Sequence, residues 1–269
     1  AGATLTGNST LESIEFPGDV DGDGVDDVLV AADGAAYLVY GVASDETWQA
    51  LSGALDDVVS RAPAGSAATA FVVPGAAAPI TVVGSAGDWN DDGYDDVAFS
   101  APTMMAGRGV VYVVFGGPSL RNIIARRRLA SSDDDAAPGT IDLATLTLGT
   151  DYVAIAGAST DGLGASIAAV DFNGDGYSDL VAGAPAAVGS SYAAIVFGSA
   201  TAPAEVVDVG ALNATDGLLV FWDAADSTAS ELGAAVAGVG DVDGDDYEDV
   251  AIGAPGAAAV CVLLGVDVV

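Results

Sequence analysis

The nine residues Asp19–Asp27, DVDGDGVDD, constrain this chain more than any other stretch, because they recur. Near copies start at Asp88 (DWNDDGYDD), Asp171 (DFNGDGYSD) and Asp241 (DVDGDDYED), at spacings of 69, 83 and 70 residues. A period of this size, with matching context, marks an architecture of stacked units, each burying its apolar surface against a neighbour.

The context does match. LESIEF, PITVVGSAG, ASIAAV and AAVAGVG precede the turns; DDVLVAA, DDVAFSAP, SDLVAGAP and EDVAIGAP follow. AAYLVYG, GVVYVVFGG, SYAAIVFGS and AAVCVLLG come next. These runs are short, rich in Val, Ile, Tyr and Phe, and bounded by Gly, Pro and Asp, so they read as strands. No segment has a long apolar stripe at helical spacing. A fourth strand falls at 69–75, 152–157 and 218–223, but none follows the last repeat. ATLTG at 3–7 stands where such a strand is wanted. The expectation is an all-β fold: a β-propeller of four four-stranded blades, closed by the N-terminal strand joining the last blade. One domain would span 1–269, with repeats centred on 19–27, 88–96, 171–179 and 241–249. A share in a larger array is the alternative to the ring. The stretches 42–66 and 118–148 break the pattern and read as surface insertions. The second holds four of the six arginines within Arg121–Arg128, followed by Asp133–Asp135. It reads as a solvated loop with partly paired charges, or as a docking or proteolytic site.

The turns are acidic in an acidic chain. Asp and Glu number 39 against 6 basic residues, all Arg, for a formal charge of −33. Such a surface repels phosphates and anionic lipid heads, so nucleic acid and membranes are not expected partners. With 51% apolar residues in strand-like runs, the charge does not imply disorder. Acid without Lys also fits a high-salt habitat, where screening weakens self-repulsion. No apolar run approaches a membrane span. The chain starts AGATL without Met, as it would if a leader had been removed. Cys261 sits alone in AVCVLLG and reads as a buried structural thiol.

Within each turn, the first, third, fifth and ninth places carry oxygen ligands. They are Asp19, Asp21, Asp23 and Asp27; Asp88, Asn90, Asp92 and Asp96; Asp171, Asn173, Asp175 and Asp179; Asp241, Asp243, Asp245 and Asp249. The seventh-place backbone carbonyl, from Val25, Tyr94, Tyr177 or Tyr247, would add another. Hard oxygens in a tight loop suit Ca²⁺, which takes roughly 6–8 of them, better than Mg²⁺ with its strict octahedron. Soft metals lack His and thiolate ligands here. The expectation is four Ca²⁺ sites, one per repeat. The EF-hand shares the first five places but needs Glu at the twelfth. Val30, Phe99, Ala182 and Ile252 stand there instead. The sixth place is Gly24, Gly93 and Gly176, but Asp246 in the last turn, where a left-handed conformation implies some strain.

With GDVDGDG, GDWNDDGYDDVAFSAP, DFNGDGYSDLVAGAP and GDVDGDDYEDVAIGAP in view, the chain resembles the FG-GAP repeats of integrin alpha-subunit propellers and their microbial relatives. GAP is intact at 183–185 and 253–255, becomes SAP at 100–102 and is absent at 31–33. LG at 163–164 and 232–233 stands for FG. Integrin propellers have seven blades; four repeats occur here. The resemblance implies an extracellular or cell-surface recognition or adhesion module, monomeric within a larger secreted protein, whose ions stiffen the loops while a protein or glycan binds elsewhere. An enzyme is not expected: there is no His, and most carboxylates are committed to the turns. A structural spacer is one alternative. A lectin using Trp48, Trp89 or Trp222 as sugar platforms is another, although Trp89 and Trp222 read more simply as packing residues.

Overall fold

A computed structural model describes residues 5–6, 11–41, 53–54, 68–72, 79–118, 120, 140–185, 191–222 and 230–267. Nearly all regular structure among them is β, as the short β-branched runs demand. The strands are β1 (Leu5–Thr6), β2 (Leu11–Gly18), β3 (Asp27–Ala32), β4 (Ala35–Val39), β5 (Gly53–Ala54) and β6 (Ala68–Val72). Then come β7 (Val82–Gly87), β8 (Asp96–Ala101), β9 (Val110–Val114), β10 (Thr140–Asp142) and β11 (Tyr152–Ala156). The rest are β12 (Ser166–Val170), β13 (Asp179–Ala184), β14 (Tyr192–Val196), β15 (Val207–Asp208), β16 (Gly217–Phe221), β17 (Ala235–Gly240), β18 (Asp249–Ala254) and β19 (Ala259–Leu263).

Each repeat builds one antiparallel sheet, in the orders β2-β3-β4-β6, β7-β8-β9-β11, β12-β13-β14-β16 and β17-β18-β19. The acidic turn links the first two strands of each. The sheets stack face to face. Leu29, Leu38 and Phe71 of the first meet Val97, Phe99 and Tyr112 of the second. Val111, Val113 and Ile155 of the second meet Leu180, Ala182 and Val196 of the third. Val181 and Ile195 of the third meet Val250 and Ile252 of the fourth. VVYVV in β9 is therefore buried on both faces, which is why it reads as a continuous apolar run rather than an alternating one.

Two expectations change. The N-terminal strand does not complete the last blade: Leu5–Thr6 pairs in parallel with Gly53–Ala54. The fourth sheet has three strands among the described residues, and no described core cluster joins it to the first. Closing a ring needs a long-range pairing that two residues of β1 satisfy elsewhere. Second, the stretch 118–148 is not only a surface excursion. Thr140–Asp142 adds to the first sheet in parallel beside β6, and Leu120, Ile141 and Leu143 are buried between the first two sheets. The stretch 199–216 also returns to a sheet, where Val207–Asp208 lies beside β11. Arg108 secures this addition, donating through Nε to Gly157 O and pairing with Asp208 at 2.8 Å. Arg121–Arg128, Asp133–Asp135 and Trp48 lie outside the described residues.

Candidate metal centre

All four turns fold by one hydrogen-bond scheme. The first-place carboxylate accepts the sixth-place backbone N–H: Gly24 to Asp19, Gly93 to Asp88, Gly176 to Asp171 and Asp246 to Asp241. The fifth-place Oδ1 accepts the seventh-place N–H: Val25 to Asp23, Tyr94 to Asp92, Tyr177 to Asp175 and Tyr247 to Asp245. The asparagines at the third place add a side-chain link, Asn90 to Asp92 and Asn173 to Asp175. These short-range bonds explain why Asp, Asn and Gly occupy these places. Two places per turn take positive φ. At the sixth, Gly24, Gly93 and Gly176 lie at 86–91° and Asp246 at 73°. At the fourth, Asp91 joins Gly22, Gly174 and Gly244 in the left-handed region, a demand that the sequence reading missed.

The ninth-place aspartate is the anchor. Asp27, Asp96, Asp179 and Asp249 are fully buried. In each, Oδ2 accepts the second-place N–H, from Val20, Trp89, Phe172 or Val242. Oδ1 accepts the N–H of the glycine after the third strand, Gly41, Gly116, Gly198 or Gly265, at 2.7–2.9 Å. These glycines were not singled out from sequence, although each closes a strand run. They have no room for a side chain: a Cβ would come within 2.2–2.5 Å of a backbone carbonyl at all four. Burial raises the carboxyl pKa to about 7 at Asp27, about 8 at Asp96 and about 7 at Asp179. Neighbouring first- and fifth-place carboxylates push the same way.

Carboxylate oxygens of Asp19, Asp21 and Asp27 lie within 4.8 Å of one another, and so do those of Asp241, Asp243 and Asp249. Asp23 and Asp245 stand outside these groups. Asp171 Oδ1 in the third turn is buried with no hydrogen-bond partner. An orphaned anionic oxygen and acids held this close together are what a hard cation compensates. The donor set is all oxygen, so it fits Ca²⁺ and offers nothing to a soft metal.

The turns also tie neighbouring sheets together. The second-place carbonyls of Val20, Trp89 and Phe172 accept N–H groups of Gly117, Ser199 and Val266 in the next sheet. Asp95 and Glu248 accept the first-place N–H groups of Asp19 and Asp171 across the same joints. At the other end of the sheets, Gly164 donates to Gly183 O and Gly233 to Gly253 O, linking each LG to the glycine of its own GAP. Gly233 packs so closely on Gly183 that neither has space for a methyl group.

Stacked antiparallel sheets of three to five strands, joined by acidic turns at one end and glycine contacts at the other, define a propeller-like repeat protein. The FG-GAP repeat family matches residues 163–197 and 232–261, each span running from LG through the turn into the third strand. Integrin alpha-4 of Xenopus laevis is 37% identical over 92 residues, covering 34% of this chain and 8% of that protein. Two stretches of the chain thus match the FG-GAP repeat, and a third of it is similar to an integrin alpha subunit of which it spans less than a tenth. Among the described residues, no helix is long and apolar enough to cross a membrane.

Proposed function

We propose that this chain is a calcium-stabilised recognition or adhesion module acting outside the cell, with one Ca²⁺ in each turn. The observation that carries the metal reading is the gathering of Asp19, Asp21 and Asp27, repeated at Asp241, Asp243 and Asp249. The first-, third-, fifth- and ninth-place side chains, with the carbonyls of Val25, Tyr94, Tyr177 and Tyr247, would hold the ions. Each ion would neutralise its turn and so preserve the joint that the turn makes with the next sheet. The extracellular setting and the recognition role rest on the integrin-like resemblance.

Recognition would use the turn side of the sheets. A cavity of about 530 Å³ opens there, bordered by Asn173, Asp175 and Tyr177 of the third turn and by Thr201, Thr215 and Asp216 opposite. Hydroxyl, amide and carboxylate groups beside the rings of Trp89, Tyr177 and Phe197 suit a polar partner such as a glycan or a hydroxyl-rich loop. Trp89 is buried and stacks on Phe115, and Trp222 packs against the core between the third and fourth sheets, so the glycan reading rests on this cavity rather than on exposed indoles.

Calorimetric titration of the chelator-stripped chain tests the metal reading. Four equivalents of Ca²⁺ and a higher melting temperature are expected; no heat and an unchanged melt would sink it. Binding of the calcium-loaded chain to glycan and matrix-protein arrays, lost with EDTA, tests recognition separately.

A further inference from the structure

The acidic turns meet one another in two kinds of joint. Between the first and second turns, Asp95 Oδ2 accepts the Asp19 N–H at 3.0 Å. Between the third and fourth, Glu248 Oε2 accepts the Asp171 N–H at 3.1 Å. In both, the eighth-place acid of the later turn reaches the first place of the earlier one. The seventh-place tyrosine of the later turn covers the same neighbour. A Cβ on Gly22 would stand 2.3 Å from Tyr94 Cε1, and one on Gly174 would stand 2.5 Å from Tyr247 Cε1. Asp95 also packs on Gly18, where a Cβ would come 2.1 Å from its Oδ2. The joint between the second and third turns is built differently. Its eighth place is Ser178, which brings no carboxylate and meets the second turn through a backbone N–H donated to the Asp88 carbonyl. The fourth place of the second turn is Asp91, where the first and third turns have the glycine on which a tyrosine ring lies.

Given the reading of the turns as Ca²⁺ sites, on which this rests, we propose that the sites are coupled in two pairs. The first turn is paired with the second through Asp95, and the third with the fourth through Glu248, both as positioning residues. Asp95 lies in sequence between Tyr94, whose carbonyl would be a ligand of the second turn, and Asp96, whose carboxylate would be another. Glu248 lies in the same way between Tyr247 and Asp249. A loaded second turn fixes residues 94–96, and with them the acceptor and the ring that hold the first turn in shape. The contacts fall on Asp19 and Gly22, within the loop whose Asp19, Asp21 and Asp27 oxygens gather within 4.8 Å. A loop already ordered has less conformational entropy to lose when it binds, so its affinity rises. The Asp95 carboxylate also places a negative charge beside Asp19, which offsets the repulsion between two neighbouring cations. Linkage makes the coupling equal in both directions. At the middle joint Ser178 supplies no such charge, so the result is two pairs rather than a series of four.

Amide NMR of the chelator-stripped chain during a Ca²⁺ titration tests this, because each turn reports through its sixth-place N–H, at Gly24, Gly93, Gly176 and Asp246. Asp92→Ala removes a ligand of the second turn at an exposed side chain, so the fold is retained. It should raise the Ca²⁺ midpoint at Gly24 by about fivefold or more, the lower end of ordinary coupling, and leave Gly176 and Asp246 in place. Asp23→Ala, also at an exposed side chain, should weaken Gly93 by the same factor. In an Asp95→Ala background, Asp92→Ala should no longer move Gly24. Asp245→Ala should weaken Gly176 in the same manner, and Glu248→Ala should remove that effect. An unchanged Gly24 midpoint in Asp92→Ala overturns the proposal. So does an equal shift at all four turns, which would mean general loosening, or a Gly24 shift that persists in full without the Asp95 side chain. Four amides that respond to Ca²⁺ independently would keep the metal reading and overturn the coupling alone. If no amide responds in the wild type, the metal reading fails and the coupling falls with it.

Discussion

Asp96 holds Gly116 across the second sheet: the Gly116 N–H donates to Asp96 Oδ1 at 2.8 Å, twenty residues along the chain. The same carboxylate takes the Trp89 N–H at 2.9 Å, so one buried side chain ties the acidic turn to the end of the third strand. A residue expected only as a metal ligand is thus a structural bracket as well, and its two demands meet at one carboxylate.

Gly116→Ala should destabilise the chain by about 1–3 kcal/mol, the usual cost of overpacking. Its Cβ would come 2.2 Å from the Asp95 carbonyl and 2.7 Å from that of Val20, and backbone cannot swing aside as a side-chain end can. Gly93→Ala is the informative comparison. Nothing lies within 4 Å there, but φ is 87°, so its cost is conformational, about 1–2 kcal/mol. Urea unfolding of both should separate them by calcium: added Ca²⁺, which stiffens the turn, should change the Gly93→Ala penalty more than the Gly116→Ala penalty.

Without calcium, the chain should gain stability as the pH falls through the neutral range. The folded-state pKa values of Asp27, Asp96 and Asp179 are raised to about 7, about 8 and about 7, chiefly by burial. The unfolded carboxyl titrates near 3.8. A raised folded pKa gives a stabilising contribution that is complete below the unfolded pKa and lost as the pH rises through the folded one. Melting temperatures in EDTA should therefore decline from about pH 5 to about pH 8. Saturating Ca²⁺ favours the ionised carboxylates and should flatten or reverse that slope. A melt in EDTA that rises steadily over this range would contradict the burial argument.

Much of this arrangement was legible in sequence because its determinants are local. The strands follow apolar runs, and the turns follow Asp, Asn and Gly at fixed places a few residues apart. What was not legible depends on distant partners. Asp96 and Gly116 are separated by a whole strand, so the bracket is invisible to turn chemistry, although the recurring glycine after each third strand was its trace. Thr140–Asp142 and Val207–Asp208 join the outer edges of the first and second sheets through pairings too short to have a periodicity. The fate of Leu5–Thr6 was a choice between two distant edges, and strand count alone could not decide it.

Trp89→Ala should cost about 3–5 kcal/mol, the range for deleting a buried large aromatic side chain. Trp89 is 1% exposed and stacks on Phe115 with ring centroids 6.0 Å apart. Its backbone also spans the joint, donating to Asp96 and accepting from Ser199. The indole is a wedge between the second and third sheets, so its removal should lower the melting temperature strongly. Trp89→Phe should recover most of the loss. A variant with normal stability and lost glycan binding would instead make the indole a recognition platform.

Asp246→Gly should raise stability or leave it unchanged, with a ceiling of about 1 kcal/mol. Asp246 adopts φ 73° where the other three turns have glycine, and its N–H bond to Asp241 does not depend on its side chain. Relief of left-handed strain favours glycine, whereas the greater freedom of glycine in the unfolded chain offsets part of the gain. The substitution also removes a negative charge beside Asp241, Asp243, Asp245 and Asp249. If the sixth-place side chain is no ligand, calcium affinity at the fourth turn should persist, with only the modest weakening expected from a lost exposed charge. A loss of one bound ion per chain in calorimetric titration would mean that Asp246 coordinates the cation directly.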